Sequence, residues 1–313
     1  MSAPTNIGAA APLSPAAPVA SPRSLDRLGV VLILILCASW GLNQVTAKYA
    51  LSEIPPLTQA ALRSALGFVV LGAYALARTP NLFARDGSLW GGLFCGVGFA
   101  LEFIVLYLGL QWTTASRAVL FLYSAPFFVA LGLPWIVPSE RLTRVQWLGL
   151  ALSFAGVALA MGVSFGSSET LVGDALCLAA GALWAATTLI IKGTGLARAR
   201  AEKALLYQLA LSAVVIGAAA YARGETMPLR LSPMVALAFA YQVVWVVCVT
   251  FVVWFWMVKK YRAGELSAYT FLTPIFGVAA GHFLLGDQLT LQFLSAVALV
   301  ALGILMVNWP ARR

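Results

Sequence analysis

Charged residues are scarce in this chain of 313 residues: 10% are Asp, Glu, Lys or Arg, whereas 61% are hydrophobic. The mean hydropathy of +0.91 excludes an ordinary soluble domain, because a domain of this length could not hide so much apolar surface from water. The composition therefore predicts an all-α integral membrane protein surrounded by the lipid bilayer. The first 24 residues lack an apolar run long enough for a signal peptide, and we expect residues 1–27 to form a disordered cytoplasmic tail.

Side chains that bind metals or form disulfides are also scarce. His282 is the only histidine, and no cluster of Cys, Asp or Glu surrounds it in the sequence. The four cysteines occur singly within apolar runs and without CxxC spacing: Cys37, Cys95, Cys177 and Cys248. This pattern predicts no metal site, no cofactor and no disulfide framework. Glu102 has no second acid nearby with which to share acid–base chemistry, which argues against a membrane-embedded enzyme and predicts no catalytic residue.

Long apolar segments fill the rest of the chain, and about 20 apolar residues suffice to cross a bilayer core. Breaks at Gly, Pro and charged residues predict ten transmembrane helices, at 28–49, 57–77, 88–110, 114–136, 144–164, 171–193, 203–222, 233–258, 265–285 and 290–309. The net charge of +9 follows this topology and does not indicate a nucleic-acid partner. Fourteen basic residues lie in the tail, in the loops after helices 2, 4, 6 and 8 and at the C-terminus, whereas only Arg223 and Arg230 lie in the other loops. Both termini are therefore predicted to be cytoplasmic.

The second half of the chain repeats the first. Four positions of helix 1 have identical or polar counterparts in helix 6 at an offset of 144: Trp40, Asn43, Gln44 and Lys48 correspond to Trp184, Thr187, Thr188 and Lys192. Pro126 recurs as Pro274, and the acid and glycine Glu140 and Gly156 recur as Asp287 and Gly303. Because five is an odd number of helices, the second repeat, 171–309, must cross the membrane in the opposite sense to the first, 28–163. Inverted repeats provide alternating access to a site near the membrane midplane.

These motifs resemble those of EamA-type members of the drug/metabolite transporter superfamily: Trp40-Gly41 with Lys48 downstream, the mid-helix prolines, and the spacing from acid to glycine in both halves. Within the superfamily, the long tail and the aromatic-rich helices 8 and 9 are most similar to the YddG-type bacterial exporters of aromatic amino acids. The resemblance implies a bacterial inner-membrane carrier that exports small organic solutes from the cytoplasm, amino acids and especially aromatic ones. Export of another metabolite or a cationic drug is the alternative, and a channel or membrane scaffold is a further one.

Polar and aromatic residues in the central third of the helices predict where the solute binds. Lipid does not tolerate a polar stripe on a helix, so these side chains should face the interior of the bundle. The predicted solute-binding residues are Trp40, Asn43, Gln44, Glu102, Trp184, Thr188, Gln242, Trp245 and Tyr269. The alternative is that the polar members only join helices through hydrogen bonds. Trp254 and Trp256 are expected in the aromatic belt at the membrane interface.

Charges and prolines inside predicted helices give three further hypotheses. Arg63 and Glu102 are predicted to pair across helices 2 and 3, either as a salt bridge that fixes the helices or as groups that bind a zwitterion or a proton. Pro126 and Pro274 each remove a backbone donor near the bilayer centre, which suits either hinges or static kinks. Lys48 and Lys192 are expected to extend to opposite membrane interfaces.

Overall fold

A computed structural model describes residues 22–78, 82, 84–109, 111–113, 115–161, 168–228, 230–285 and 291–309. Within these ranges the regular structure is helical, apart from one isolated β-bridge between Arg23 and Tyr261. Residues 1–21 of the predicted tail lie outside the described residues, as do the side chains of Gln44, Lys48 and His282.

The helices of the two halves follow the predicted spans closely. In the first half, α1 is Arg27–Ala50, α2 is Pro56–Arg78, α3 is Leu89–Gly109, α4 is Ala115–Leu122, α5 is Ala125–Ile136 and α6 is Arg144–Met161. In the second half, α7 is Ser168–Gly193, α8 is Ala201–Ala222, α9 is Pro233–Ala240, α10 is Val252–Lys260, α11 is Ala263–Tyr269, α12 is Leu272–Leu285 and α13 is Leu291–Val307. A π-helical segment, Tyr241–Phe251, joins α9 to α10, so that one helix runs from Pro233 to Lys260.

Two predicted helices are interrupted rather than continuous. The span 114–136 breaks between α4 and α5, and the span 265–285 breaks between α11 and α12. Pro126 and Pro274 lie in the first turn after each break, where a missing N–H costs no helical hydrogen bond. In the turns before them, the hydroxyls of Ser124 and Thr270 each donate to a carbonyl three residues earlier, at 2.6 Å. The prolines therefore divide these helices instead of merely bending them.

The exterior of the molecule is apolar. Among the described residues, six helices are long and apolar enough to cross a membrane: Arg27–Ala47, Pro56–Arg78, Leu89–Gly109, Thr170–Gly193, Ala201–Ala222 and Pro233–Lys260. Large side chains such as Trp135, Val214 and Leu305 are 89%, 70% and 65% exposed. An apolar surface of this extent is unfavourable in water but favourable against lipid. The helices also satisfy their backbone hydrogen bonds internally, as the bilayer core requires. The chain is a multi-pass membrane protein.

The two halves pack on each other through contacts that occur in exchanged pairs. The helix α2 packs on α8, where a Cβ added at Gly72 would lie 3.8 Å from Leu206 and one added at Gly217 would lie 3.9 Å from Ala61. Gly217 follows Gly72 by 145 residues, and Leu206 follows Ala61 by the same interval. Replacing each residue of one contact by its equivalent in the other half therefore gives the second contact.

The contact between α6 and α13 has the same property at a different offset. A Cβ added at Gly149 would lie 2.6 Å from the carbonyl oxygen of Gly303, and one added at Gly156 would lie 2.9 Å from that of Ala296. Ala296 follows Gly149, and Gly303 follows Gly156, by 147 residues. Only glycine allows backbones to approach this closely, which explains why the sequence repeats a glycine here.

Candidate functional site

A chain of eight aromatic rings runs through the interior between the halves. Neighbouring ring centroids are 5.0–6.5 Å apart, and most pairs meet edge to face, a favourable arrangement for aromatic side chains. In spatial order the rings are Tyr123, Trp184, Trp254, Trp40, Phe251, Phe99, Phe103 and Tyr107. We call this set the aromatic chain. Of its members, the sequence predicted only Trp40 and Trp184 as site residues.

Trp40 and Trp184, the two predicted site residues in the aromatic chain, both contact Trp254. The ring of Trp40 lies 5.4 Å from that of Trp254, and the ring of Trp184 lies 6.5 Å from it. Trp40 is fixed by its indole N–H, which donates to Thr250 Oγ1 at 2.9 Å. Trp254 is 6% exposed, so the prediction that it belongs to the interfacial belt is wrong. Its place in α10, after the π-helical segment, turns it toward the interior.

Arg63 and Glu102 lie beside the end of the aromatic chain that Phe103 and Tyr107 form, and both are buried. The predicted ion pair between them is not formed: Arg63 Nε and Nη2 and Glu102 Oε2 are buried without a hydrogen-bond partner. The helices that carry them, α2 and α3, pack mainly against α8 rather than against each other. The Arg63 guanidinium instead lies 4.6 Å from the ring centroid of Phe103.

An unpaired cation and an unpaired anion are costly in this setting. Buried polar atoms are normally hydrogen-bonded, and a charge inside a membrane costs several kcal/mol unless it is paired or hydrated. Arg63 and Glu102 are close enough to influence each other electrostatically, yet each retains free hydrogen-bonding atoms. The arrangement can therefore receive a negative group at Arg63 and a positive group at Glu102, beside aromatic faces.

Gln242 and Trp245 are not brought to the aromatic chain. The Gln242 amide accepts a hydrogen bond from Gln59 Nε2 at 2.9 Å and donates to the carbonyl of Thr46 at 3.4 Å. The Trp245 indole N–H donates to Ser39 Oγ at 2.9 Å, while its ring is 40% exposed. Both side chains join the π-helical segment to α1 or α2, which is the interhelical alternative considered for the polar residues.

Among the other predicted residues, Thr188, Asn43 and Tyr269 differ in their hydrogen bonding and packing. The Thr188 hydroxyl is occupied, because it donates to the carbonyl of Trp184 one turn earlier. Asn43 keeps a free acceptor, since its Oδ1 is buried without a partner. Tyr269 is half-buried and packs between two clusters of core residues. In the described part of the chain, no group of three or more His, Cys, Asp or Glu could hold a metal ion.

A second polar cluster, missed by the sequence prediction, fixes the connection between α10 and α11. Lys192 Nζ lies 2.6 Å from Glu140 Oε1, with side chains 4% and 2% exposed, and it also donates to the carbonyl of Tyr261 at 2.9 Å. Glu140 Oε2 accepts from the N–H of Ala263, the first residue of α11. We call these four residues the latch. The prediction that Lys192 extends to the interface is wrong, because its partner acid lies buried beside it.

The segment before α1 covers the same connection from the other side. The N–H of Arg262 donates to the carbonyl of Arg23 at 3.0 Å, and Glu265 accepts from the Ser24 hydroxyl at 3.1 Å. Asp26 caps α1 and accepts from the Tyr261 hydroxyl at 2.8 Å. The Gly29 N–H and the Tyr261 hydroxyl hold the pKa of Asp26 below its usual value. Residues 23–26 are therefore held against the bundle, so the prediction of disorder does not apply to them.

Comparison with known proteins agrees with a transport role. "Uncharacterized transporter YvbV" of Bacillus subtilis is 28% identical over 90% of this chain and 92% of its own length. A "Probable amino-acid metabolite efflux pump" of Salmonella typhimurium is 28% identical over 90% of this chain and 94% of its own, and a protein of the same description in Escherichia coli is 27% identical over 88% and 93%.

A solved crystal structure shares the fold, with a TM-score of 0.76 over 90% of this chain and 96% of that one, at 18% sequence identity. The EamA-like transporter family matches residues 27–162 and again residues 171–309. Together these two segments include nearly all the described helices, so the chain belongs to the EamA-like transporter family and is a membrane transporter.

Proposed function

We propose that this transporter exports amino acids from the cytoplasm, favouring aromatic ones, and that it does so by alternating access in a bacterial inner membrane. The observation that carries the proposal is the placement of Arg63 and Glu102. Both are buried and hold hydrogen-bonding atoms without partners, and both lie next to the aromatic chain.

An amino acid supplies what these two side chains lack. Its carboxylate can accept hydrogen bonds from the Arg63 guanidinium, and its ammonium group can donate to the Glu102 carboxylate. An aromatic side chain would then stack among the rings of Phe99 and Phe103, in the edge-to-face geometry that these rings already adopt. A purely cationic drug would leave Arg63 unpaired, which disfavours that alternative.

Alternating access needs two halves that can exchange conformations. We infer ten transmembrane helices in two inverted repeats, 28–163 and 171–309, with both termini in the cytoplasm. The exchanged contact pairs between α2 and α8 and between α6 and α13 support this arrangement, and so does the double match to one family. The broken helices α4–α5 and α11–α12 occupy repeat-equivalent places, as expected of hinges.

Names given to relatives point the same way. Two of them are described as amino-acid metabolite efflux pumps over nearly the full length of this chain. Such descriptions concern those proteins, and at 27–28% identity the solute can differ. The narrower preference for aromatic amino acids rests on the aromatic chain.

Substrate analogues that lack one charge test the proposal directly. We would load proteoliposomes with phenylalanine and measure counterflow of labelled phenylalanine, phenylethylamine, which lacks the carboxylate, and phenylpropionate, which lacks the ammonium group. The wild type should transport phenylalanine with saturation and reject both analogues, because each leaves one buried charge unpaired. Glu102→Gln should lose phenylalanine transport while its discrimination against phenylpropionate weakens.

A matched control is Glu202→Gln, which removes an acid on α8 that pairs with the exposed Arg200. This variant should transport phenylalanine at the wild-type rate. Equal transport of all three compounds, or a flux that fails to saturate, would refute the amino-acid carrier. Leucine and tryptophan in the same assay measure the aromatic preference separately.

A further inference from the structure

An open cavity of about 490 Å³ lies between α1, α8 and α10. Most of its wall is apolar and comes from Leu32, Val252, Val253 and Trp256. Trp256 is 37% exposed at its edge. The aromatic chain does not share these residues, so the cavity is separate from the proposed amino-acid site.

The apolar wall limits what can fill the cavity. A groove on the side of a membrane helix bundle faces hydrocarbon, where an empty space would lose the contacts of every atom that lines it. Water has few polar partners along Leu32, Val252 and Val253, and a cavity of this kind holds water poorly. An acyl chain of a lipid is the occupant that this wall fits.

One end of the cavity is positively charged. Arg200 and Lys259 line it, and Lys260 lies beside it with Nζ 4.1 Å from the ring centroid of Trp256. Glu202 offsets one of these charges by pairing with Arg200 at 3.3 Å. Lys259 Nζ donates to the carbonyl of Ala199 at 2.5 Å, which leaves two of the three ammonium donors for another acceptor.

We infer that this cavity binds an anionic phospholipid, with an acyl chain along the apolar wall and the phosphate headgroup between Arg200 and Lys259. The leaflet is the cytoplasmic one, a point that rests on the topology of the proposed function. That leaflet carries the anionic lipids, and basic pockets between helices on that side bind their headgroups. Binding of the lipid itself does not depend on transport.

Native mass spectrometry of the detergent-purified, delipidated protein tests the inference. It measures the affinities of phosphatidylglycerol and phosphatidylcholine, with acyl chains of equal length. Phosphatidylglycerol should bind the wild type more tightly. In the double variant Arg200→Gln/Lys259→Gln its affinity should fall about twenty-five-fold, because each cation near an anionic headgroup contributes roughly fivefold. The control Arg223→Gln/Arg230→Gln removes two exposed cations at the other end of the bundle and should bind like the wild type.

Two additional measurements keep the test decisive. Arg200→Glu changes an exposed side chain, so it should fold normally and still weaken phosphatidylglycerol selectively. Glycerophosphoglycerol, which has the headgroup without chains, should fail to compete, and Val252→Trp should weaken both lipids by filling the apolar part.

Equal binding of the two lipids, equal loss in both double variants, or full competition by the chainless headgroup would overturn the inference. A dimer that forms through this face, seen as paired chains that exclude lipid, would also overturn it. The lipid-binding experiment contains no transported solute. Its failure can therefore be distinguished from a failure of the counterflow test of amino-acid transport.

Discussion

The latch gives a prediction whose magnitude follows from its geometry. Glu140 and Lys192 are 2.6 Å apart and almost fully buried, so Glu140→Leu leaves the Lys192 ammonium with only the carbonyl of Tyr261 as a partner. Removing one partner of a buried pair costs about 3–5 kcal/mol. The same change also deprives the N–H of Ala263 of its acceptor.

Thermal unfolding in detergent measures this loss. We expect the melting temperature of Glu140→Leu to fall by roughly 6–10 °C, at about 2 °C for each kcal/mol in a chain of this length. The double variant Glu140→Leu/Lys192→Met should recover most of the loss, since replacing both members of a buried pair with apolar residues is often neutral.

A less buried pair in the same protein provides the control. Lys203 and Asp86 lie 2.9 Å apart, but their side chains are 11% and 36% exposed, and partly solvated pairs contribute about 1 kcal/mol or less. Asp86→Leu should therefore shift the melting temperature far less than Glu140→Leu. If the two single variants shift equally, or if the double latch variant recovers nothing, burial of the latch does not set its energy and the reasoning is refuted.

Three other predictions concern the site, the breaks and the topology. Glu102→Gln should leave the melting temperature within about 2 °C of the wild type, because no ion pair with Arg63 is lost. The flux per folded molecule should fall. A strongly destabilised variant that still transports would contradict this prediction. Pro126→Ala should lower the turnover number with little change in KM, because α4 and α5 could then join, whereas Pro134→Ala, inside α5 and without a repeat-equivalent proline, should not. An alkaline phosphatase fused to the C-terminus should be inactive, and an active fusion would rule out ten helices with cytoplasmic termini.

Helix positions were predictable from the sequence because the bilayer imposes them through length and hydropathy. The predicted span 203–222, for example, lies within α8 almost end to end. The interruptions in the fourth and ninth spans were not predictable from Pro126 and Pro274 alone. A proline is compatible with a kink or a break, and the outcome depended on whether the hydroxyls of Ser124 and Thr270 could hold the preceding turn.

The candidate site was predictable only where a residue is unusual for a membrane helix. Arg63 and Glu102 were found because charges inside apolar runs are rare. Sequence gives the depth of a residue along a helix and not the orientation of neighbouring helices, so it could not show whether the two side chains make a direct hydrogen bond. Phe99 and Phe251 carry no signal of their own, because aromatic residues are common in such helices. Their role depends on contacts between distant segments.

The ion pair of the latch, Lys192 and Glu140, has a repeat-equivalent pair of residues in the sequence. Lys48 and Asp287 hold the positions that match Lys192 and Glu140, although the Lys48 side chain and Asp287 lie outside the described residues. In an inverted repeat, one half adopts in the second state the conformation that the other held in the first. If the second state exchanges the conformations of the two halves, we expect Lys48 and Asp287 to pair in it as Lys192 and Glu140 pair in this one. A carrier needs its two closed states at similar free energy, because a large gap would leave one of them almost unpopulated. In that case the charge pair lost at one end would be regained at the other, which would keep the two states close in free energy.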